Sequence, residues 1–187
     1  MPSARLLAVS LAAAALAAAG CGSSNKSKST ATTPPAQTQT QAAKTQTAPP
    51  ASTGGAVAVA NAKDLSHKPK IATPHGAPPS TLVKKDLVVG HGPAAKAGDT
   101  VTVQYVGDSW SNGKQFDASW DRGQPFTFPL GQGQVIQGWD NGVAGMKVGG
   151  RRELVIPPDQ GYGAQGAPPD IAPNETLVFV VDLKRIG

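Results

Sequence analysis

Seven of the nine aromatic side chains of this 187-residue chain are strung between turns in its second half: Tyr105, Phe116, Phe126, Phe128, Trp139, Tyr162 and Phe179. Gathered together, such rings either fill a core or line an apolar pocket. In the second case Asp117 and Tyr162 are its polar handles. Residues for bond-cleaving chemistry are missing from the same stretch. No Cys is available there as a nucleophile, and no Ser stands in a Gly-x-Ser-x-Gly turn. The Asp and Glu residues form no obvious acid–base pair. His67, His75 and His91 have no metal-ligand spacing, and a single Cys cannot build a Cys-based zinc cage. No metal and no cofactor is expected. Gly131-Gln-Gly133-Gln-Val-Ile136 begins like a dinucleotide loop but lacks a third Gly and a strand–helix–strand setting, so it reads as a turn.

The elements that must position these rings are mostly strands. Thr100–Val106 alternates with period two and sets Val101, Val103 and Tyr105 on one face. Thr176–Ile186 does the same with Leu177, Phe179, Val181 and Leu183, leaving Asp182 and Lys184 on the other. Leu82-Val83, Leu87–Val89 and Arg152–Ile156 are shorter apolar runs, the last stopped by Pro157-Pro158. Ser111-Asn112-Gly113-Lys114 predicts a hairpin turn of type I′, because Asn-Gly tolerates positive φ. Gly149-Gly150-Arg151-Arg152 could bind an anion, but two Arg at a strand start are more often solvated. Ile136, Trp139, Asp140 and Val143 follow helical spacing, with Gly145 as a possible cap. That helix is short, and Gly138 and Gly142 weaken it, so it must pack its apolar side on the sheet. The fold class expected is α+β: a curved antiparallel sheet wrapped around one short helix.

Gly (22) and Pro (17) together make about a fifth of the chain, too rich for a helical bundle. The net charge of +5 points to an anionic partner until it is placed. Residues 1–80 sum to +6 and residues 81–187 to −1. A nucleic-acid reader carries its Lys and Arg on the folded face, so nucleic acid is not expected. A basic tail near anionic lipid is the more natural use.

The N-terminus reads as an address. Leu6–Ala19 follows Arg5 without a charge, a length that suits a signal-peptide core and is short for a spanning helix. Ala18-Ala19-Gly20-Cys21 resembles the lipobox of bacterial lipoproteins, which implies cleavage before Cys21 and lipid on its thiol. The alternative is a plain secretory signal with an incidental Cys. Residues 1–20 are thus assigned to the signal and 21–63 to a disordered Ser/Thr/Ala/Gln/Pro-rich tether too polar to offset its ordering entropy. About 40 flexible residues reach roughly 35 Å. The folded domain is expected over 64–187, with its core at about 80–187. Such a protein would be anchored to a cell membrane and face away from the cytoplasm. A nearly neutral domain on a long tether points to a monomer.

Val103-Gln-Tyr-Val-Gly107, Gly113-Lys-Gln-Phe-Asp-Ala-Ser119, Arg122-Gly-Gln-Pro-Phe-Thr-Phe128, Gly133-Gln-Val-Ile-Gln-Gly-Trp139, Gly145-Met-Lys-Val-Gly149, Tyr162-Gly163 and Thr176-Leu-Val-Phe179 occur in this order. Together they resemble the FKBP-type peptidyl-prolyl isomerases over about residues 80–187. The resemblance implies a pocket for a proline side chain in a polypeptide substrate. Its walls would be Tyr105, Phe116, Phe126, Val135, Ile136 and Phe179, and its floor Trp139. Asp117 and Tyr162 would stand near substrate carbonyls, with Arg122 orienting Asp117 through an ion pair. Phe128, Leu177 and Val101 are expected in the core. Well-known eukaryotic members carry a His and bulky aliphatics where Ala167 and Asp170 stand here, which bears on macrolide affinity and peptide preference. Ile171 keeps one apolar contact. The alternatives are a proline-recognising adaptor with little turnover, and a structural lipoprotein whose rings are only core.

Overall fold

A computed structural model describes residues 55–187. The expected signal segment, Cys21 and the tether up to residue 54 lie outside the described residues. Eight strands form in chain order: β1 (Val59–Ala60), β2 (Lys70–Ile71), β3 (Val83–Val88), β4 (Thr100–Ser109), β5 (Gln115–Ala118), β6 (Phe126–Pro129), β7 (Arg151–Ile156) and β8 (Leu177–Ile186). β1 and β2 pair with each other, and the other six form an antiparallel sheet ordered β3-β7-β8-β4-β5, with β6 also on β4.

The period-two reading holds. Val101, Val103 and Tyr105 of β4 and Leu177, Phe179, Val181 and Leu183 of β8 all enter the main core, with Phe128. The helix α2 (Gln137–Val143) lies on that face and buries Trp139 and Val143 against it. Gly138 and Gly142, which cost helix propensity, permit the close approach. A Cβ on Gly138 would stand 2.3 Å from Ile156 Cγ2, and one on Gly142 would stand 2.7 Å from Leu154 Cδ1. A second, four-residue helix, α1 (Ser119–Arg122), follows β5 directly and is too short to leave a periodic pattern in the sequence.

The turn between β4 and β5 differs from expectation. A type I′ turn needs positive φ at both central residues, and here only Gly113 (φ +64°) has it. The connection is a wider loop, closed by Gly113 N–H to Ser109 C=O (2.9 Å) and Ser109 N–H to Lys114 C=O (2.9 Å). Asn112 uses its side chain instead, accepting from Lys114 N–H at 2.8 Å.

The opposite face of the sheet carries a second apolar cluster: Val106, Trp110, Ala118, Val155, Val178 and Val180, covered by Val57 and Ile71. The strap that covers it, residues 57–77, starts before the expected boundary at 64. Val57 is buried, and its N–H donates to the carboxylate of the fully buried Glu153.

The expectation of solvated arginines is also corrected. Arg151 has no exposure. It pairs with Asp182 (2.5 and 2.7 Å) and donates to the carbonyls of Asn61, Asp64 and His67. Strap carbonyls that turn in toward the sheet need donors, and one planar guanidinium serves three of them at once. On the helix side, Arg152 pairs with Asp86 and donates to the carbonyls of Gly142 and Ala144 at the end of α2. A cation there also complements the helix dipole.

Candidate active site

The indole of Trp139, only 4% exposed, is the hub of an aromatic cluster. Its ring meets Tyr105 at 5.0 Å and Phe179 at 5.2 Å, both edge-on, with Phe128 at 5.5 Å and Phe126 at 6.1 Å. These are favourable edge-to-face separations. Phe116 joins through Phe179, ring to ring at 5.4 Å. Gly107 makes room for that pair, since a Cβ there would stand 2.6 Å from the Phe179 ring and 2.8 Å from that of Phe116. Val135 and Ile136 pack against the same core. The rings come from β4, β5, β6, β8 and α2, so the sheet and its helix hold the cluster rigidly.

Phe126 remains 37% exposed at the edge of the cluster, so the apolar surface opens to solvent there. The Trp139 indole N–H is buried without a partner. A buried donor left unmade costs desolvation energy.

A polar network borders the rings. The Tyr105 hydroxyl donates to Asp117 Oδ2, Arg122 Nη1 donates to Asp117 Oδ1, and Arg122 Nη2 donates to the Tyr105 oxygen at 2.9 Å. The guanidinium also lies 5.6 Å from the centre of the Tyr105 ring. The expected Arg122–Asp117 pair is therefore present and extends to Tyr105. Burial, and then the bond to Asp117, push the Tyr105 phenol up to about 12. Tyr162 is half-exposed on the loop after β7. Burial, and then the Asp117 charge, raise its phenol as well, which keeps it protonated as a donor.

Two positioning groups escaped the sequence reading. Ser119, fully buried, accepts from Tyr105 N–H at 2.8 Å and donates to Gln104 Oε1. It fixes the backbone beneath the Tyr105 ring. The residue closes the 113–119 motif, so its place was visible and its role was not. Asp140 accepts from Gly131 N–H (2.8 Å) and Gly133 N–H (2.9 Å). It thereby ties α2 to the turn leading into Val135 and Ile136. The Gly131–Gly133 segment is a turn, as expected. Ile171, expected to keep one apolar contact, is buried in the main core.

Fold and cluster together define an α+β domain whose largely buried aromatic cluster reaches solvent at Phe126, with a carboxylate and phenols at its border. Residues 92–184 match the family of FKBP-type peptidyl-prolyl cis-trans isomerases. The chain is 59% identical over 120 residues to an FK506-binding protein of Streptomyces anulatus, covering 64% of this chain and 97% of that protein. It is 48% identical over 116 residues to a probable FK506-binding protein of Corynebacterium glutamicum, covering 62% and 96% respectively. The crystal structure of AtFKBP13 is similar, with TM-score 0.54 and 41% identity over 58% of this chain and 95% of that one. The chain belongs to the FKBP-type peptidyl-prolyl cis-trans isomerases. Its reaction is rotation about X-Pro peptide bonds.

Proposed function

We propose that this isomerase receives proline in the aromatic cluster around Trp139, and that it acts on exported polypeptides from a lipid anchor at Cys21. The observation that supports the site is Trp139 itself, held on a short helix among the rings of Tyr105, Phe126 and Phe179 beside an ion-paired carboxylate. An X-Pro bond resists rotation because conjugation gives it double-bond character, with a barrier of ~18–20 kcal/mol. Twisting removes the conjugation and makes the amide less polar. An apolar, water-poor surface favours the twisted form relative to the planar, polarised one. Trp139 forms the floor, and Tyr105, Phe116, Phe126, Val135, Ile136 and Phe179 the walls. The Tyr162 hydroxyl donates to a substrate carbonyl and holds the chain in a bend. Asp117, kept in place by Arg122, faces the rotating carbonyl. A 10⁴-fold acceleration corresponds to about 5.5 kcal/mol, within reach of several such effects.

The test is isomerisation of a short X-Pro peptide. Acceleration over buffer that falls in Asp117→Ala and Tyr162→Phe supports the assignment. Rates for both variants equal to the parent's would remove these residues from the site. Binding without acceleration would leave a proline-recognising adaptor.

The anchor rests on the uncharged Leu6–Ala19 run ending at Ala18-Ala19-Gly20-Cys21. It places a monomeric domain outside the cytoplasm on a tether long enough to sample nascent exported chains. Mass spectrometry of the mature protein should find diacylglycerol on an N-terminal Cys21. A mature chain that begins upstream of Cys21 contradicts the anchor.

A further inference from the structure

The segment that carries Phe116, Asp117 and Arg122 has little structure of its own. β5 has four residues, α1 has four, and α1 lacks a side-chain cap at its start. So short a helix is held by outside contacts rather than by propensity.

β4 supplies part of those contacts through Ser119, and the strap supplies the rest at the other end of α1. Lys68 Nζ donates to both carboxylate oxygens of Asp121 in α1, at 2.6 and 2.8 Å. Gln115 at the start of β5 donates to the same carboxylate at 2.7 Å. Asp121 therefore joins the strap, β5 and α1 at one point, immediately before Arg122. Higher up, Thr73 lies against Gly113, where a Cβ would come within 2.9 Å of it, and Trp110 donates its indole N–H to Gly76 C=O at 3.2 Å. The strap thus touches the β4–β5 loop at both of its ends and α1 beyond it.

The structure assigns Lys68 as a positioning residue for the isomerase site, acting through Asp121 to hold α1 so that Arg122 keeps Asp117 and Tyr105 in register. This rests on the site proposed above. The Lys68–Asp121 pair is half-exposed, and pairs of that kind contribute little to stability. Removing it leaves the fold intact and loosens what it aims, apart from the pull of the Lys68 charge on the neighbouring Asp108 carboxyl. The apolar cluster is untouched, so substrate affinity should survive while turnover falls.

The experiment measures kcat and KM separately on an X-Pro peptide for the full chain, Lys68→Ala, Lys68→Arg, Asp121→Asn, the Lys68→Ala/Asp121→Asn double variant and Asp117→Ala. Lys68→Ala is expected to lower kcat three- to tenfold with KM within twofold and an unchanged melting temperature, and Lys68→Arg to restore kcat. The double variant should be no worse than the poorer single, since both act through one contact. The assignment is overturned if Lys68→Ala keeps the parent kcat, if its loss appears only together with a lowered melting temperature, or if the two single losses multiply. If Asp117→Ala matches the parent, the site reading fails and Lys68 has nothing to position. If Asp117→Ala is impaired and Lys68→Ala is not, the site stands and only the role of Lys68 falls.

Discussion

The Tyr105 hydroxyl donates to the Asp117 carboxylate, and the Arg122 guanidinium binds both. With its phenol raised to about 12 by burial and by that acceptor, Tyr105 remains a donor throughout the neutral range. Asp117 is thus held from two sides. Its replacement has a different cost from that of either neighbour. Asp117→Ala removes the polar group and leaves the guanidinium and the phenol without their acceptor. Tyr105→Phe removes two hydrogen bonds, the one to Asp117 and the one from Arg122, and keeps the ion pair; only the first of them holds Asp117 itself. A hydrogen bond contributes about 1 kcal/mol net, so kcat/KM should fall about fivefold in Tyr105→Phe and by more than tenfold in Asp117→Ala. Equal losses in the two would show that Asp117 matters only as a partner of Tyr105.

Trp139 touches four rings at once. Trp139→Leu keeps an apolar residue on α2 but removes the surface on which those rings meet. Large-to-small core changes cost about 2–5 kcal/mol, and the same change removes the floor on which a pyrrolidine would rest. The expected result is a lower urea midpoint together with a raised KM. A raised KM alone would mean that the neighbours close over the gap. A lowered midpoint with KM unchanged would place proline elsewhere.

The half of the molecule built on β4, β8 and α2 was legible because its burial follows local periodicity. Val101, Val103 and Tyr105 alternate within a single strand, and Trp139 and Val143 share one side of a single helix. The strap was not legible. Val57 and Ile71 are isolated apolar residues in a proline-punctuated stretch, and what buries them comes from strands far along the chain. Arg151 is the sharpest case. Its partners Asn61 and His67 stand 90 and 84 residues earlier, so no local pattern marks the guanidinium as buried. That the rings of Tyr105, Phe116, Phe126 and Phe179 gather around Trp139 was readable from the ordered family motifs. The tie from Lys68 to Asp121 spans 53 residues and belongs to a segment those motifs do not include.

Arg151 also gives a stability prediction. Removing one partner of a buried ion pair costs about 3–5 kcal/mol, because the other charge is left behind without compensation. Arg151→Met strands Asp182, 1% exposed, and deprives three strap carbonyls of their donor. Urea unfolding should show a loss of that size. The Arg151→Met/Asp182→Leu variant should recover part of it, since the stranded carboxylate is gone while the carbonyls remain unserved. Full recovery would mean that the strap carbonyls find water at no cost. A loss below about 1 kcal/mol in the single variant would mean that Asp182 becomes hydrated.

Asp108 lies beneath the same strap, 5% exposed, with Oδ1 lacking any partner. Lys68 and Lys70 line its surroundings from the strap and Gln115 from β5. Burial raises its carboxyl from 3.8 to about 6, with the Lys68 charge pulling the other way. A folded-state value above the unfolded one means that the folded chain binds the proton more tightly. The stability this group confers is therefore full below about pH 4 and is lost as pH rises through about 6. At 1.36 kcal/mol for each unit, the change between those limits is up to about 3 kcal/mol. Asp108→Asn keeps the shape and removes the titration. Parent and variant should be closest in unfolding free energy near pH 4, and the variant should gain on the parent as pH approaches 7. A difference that stays constant across that range would mean that Asp108 ionises at its ordinary value, with water reaching it under the strap.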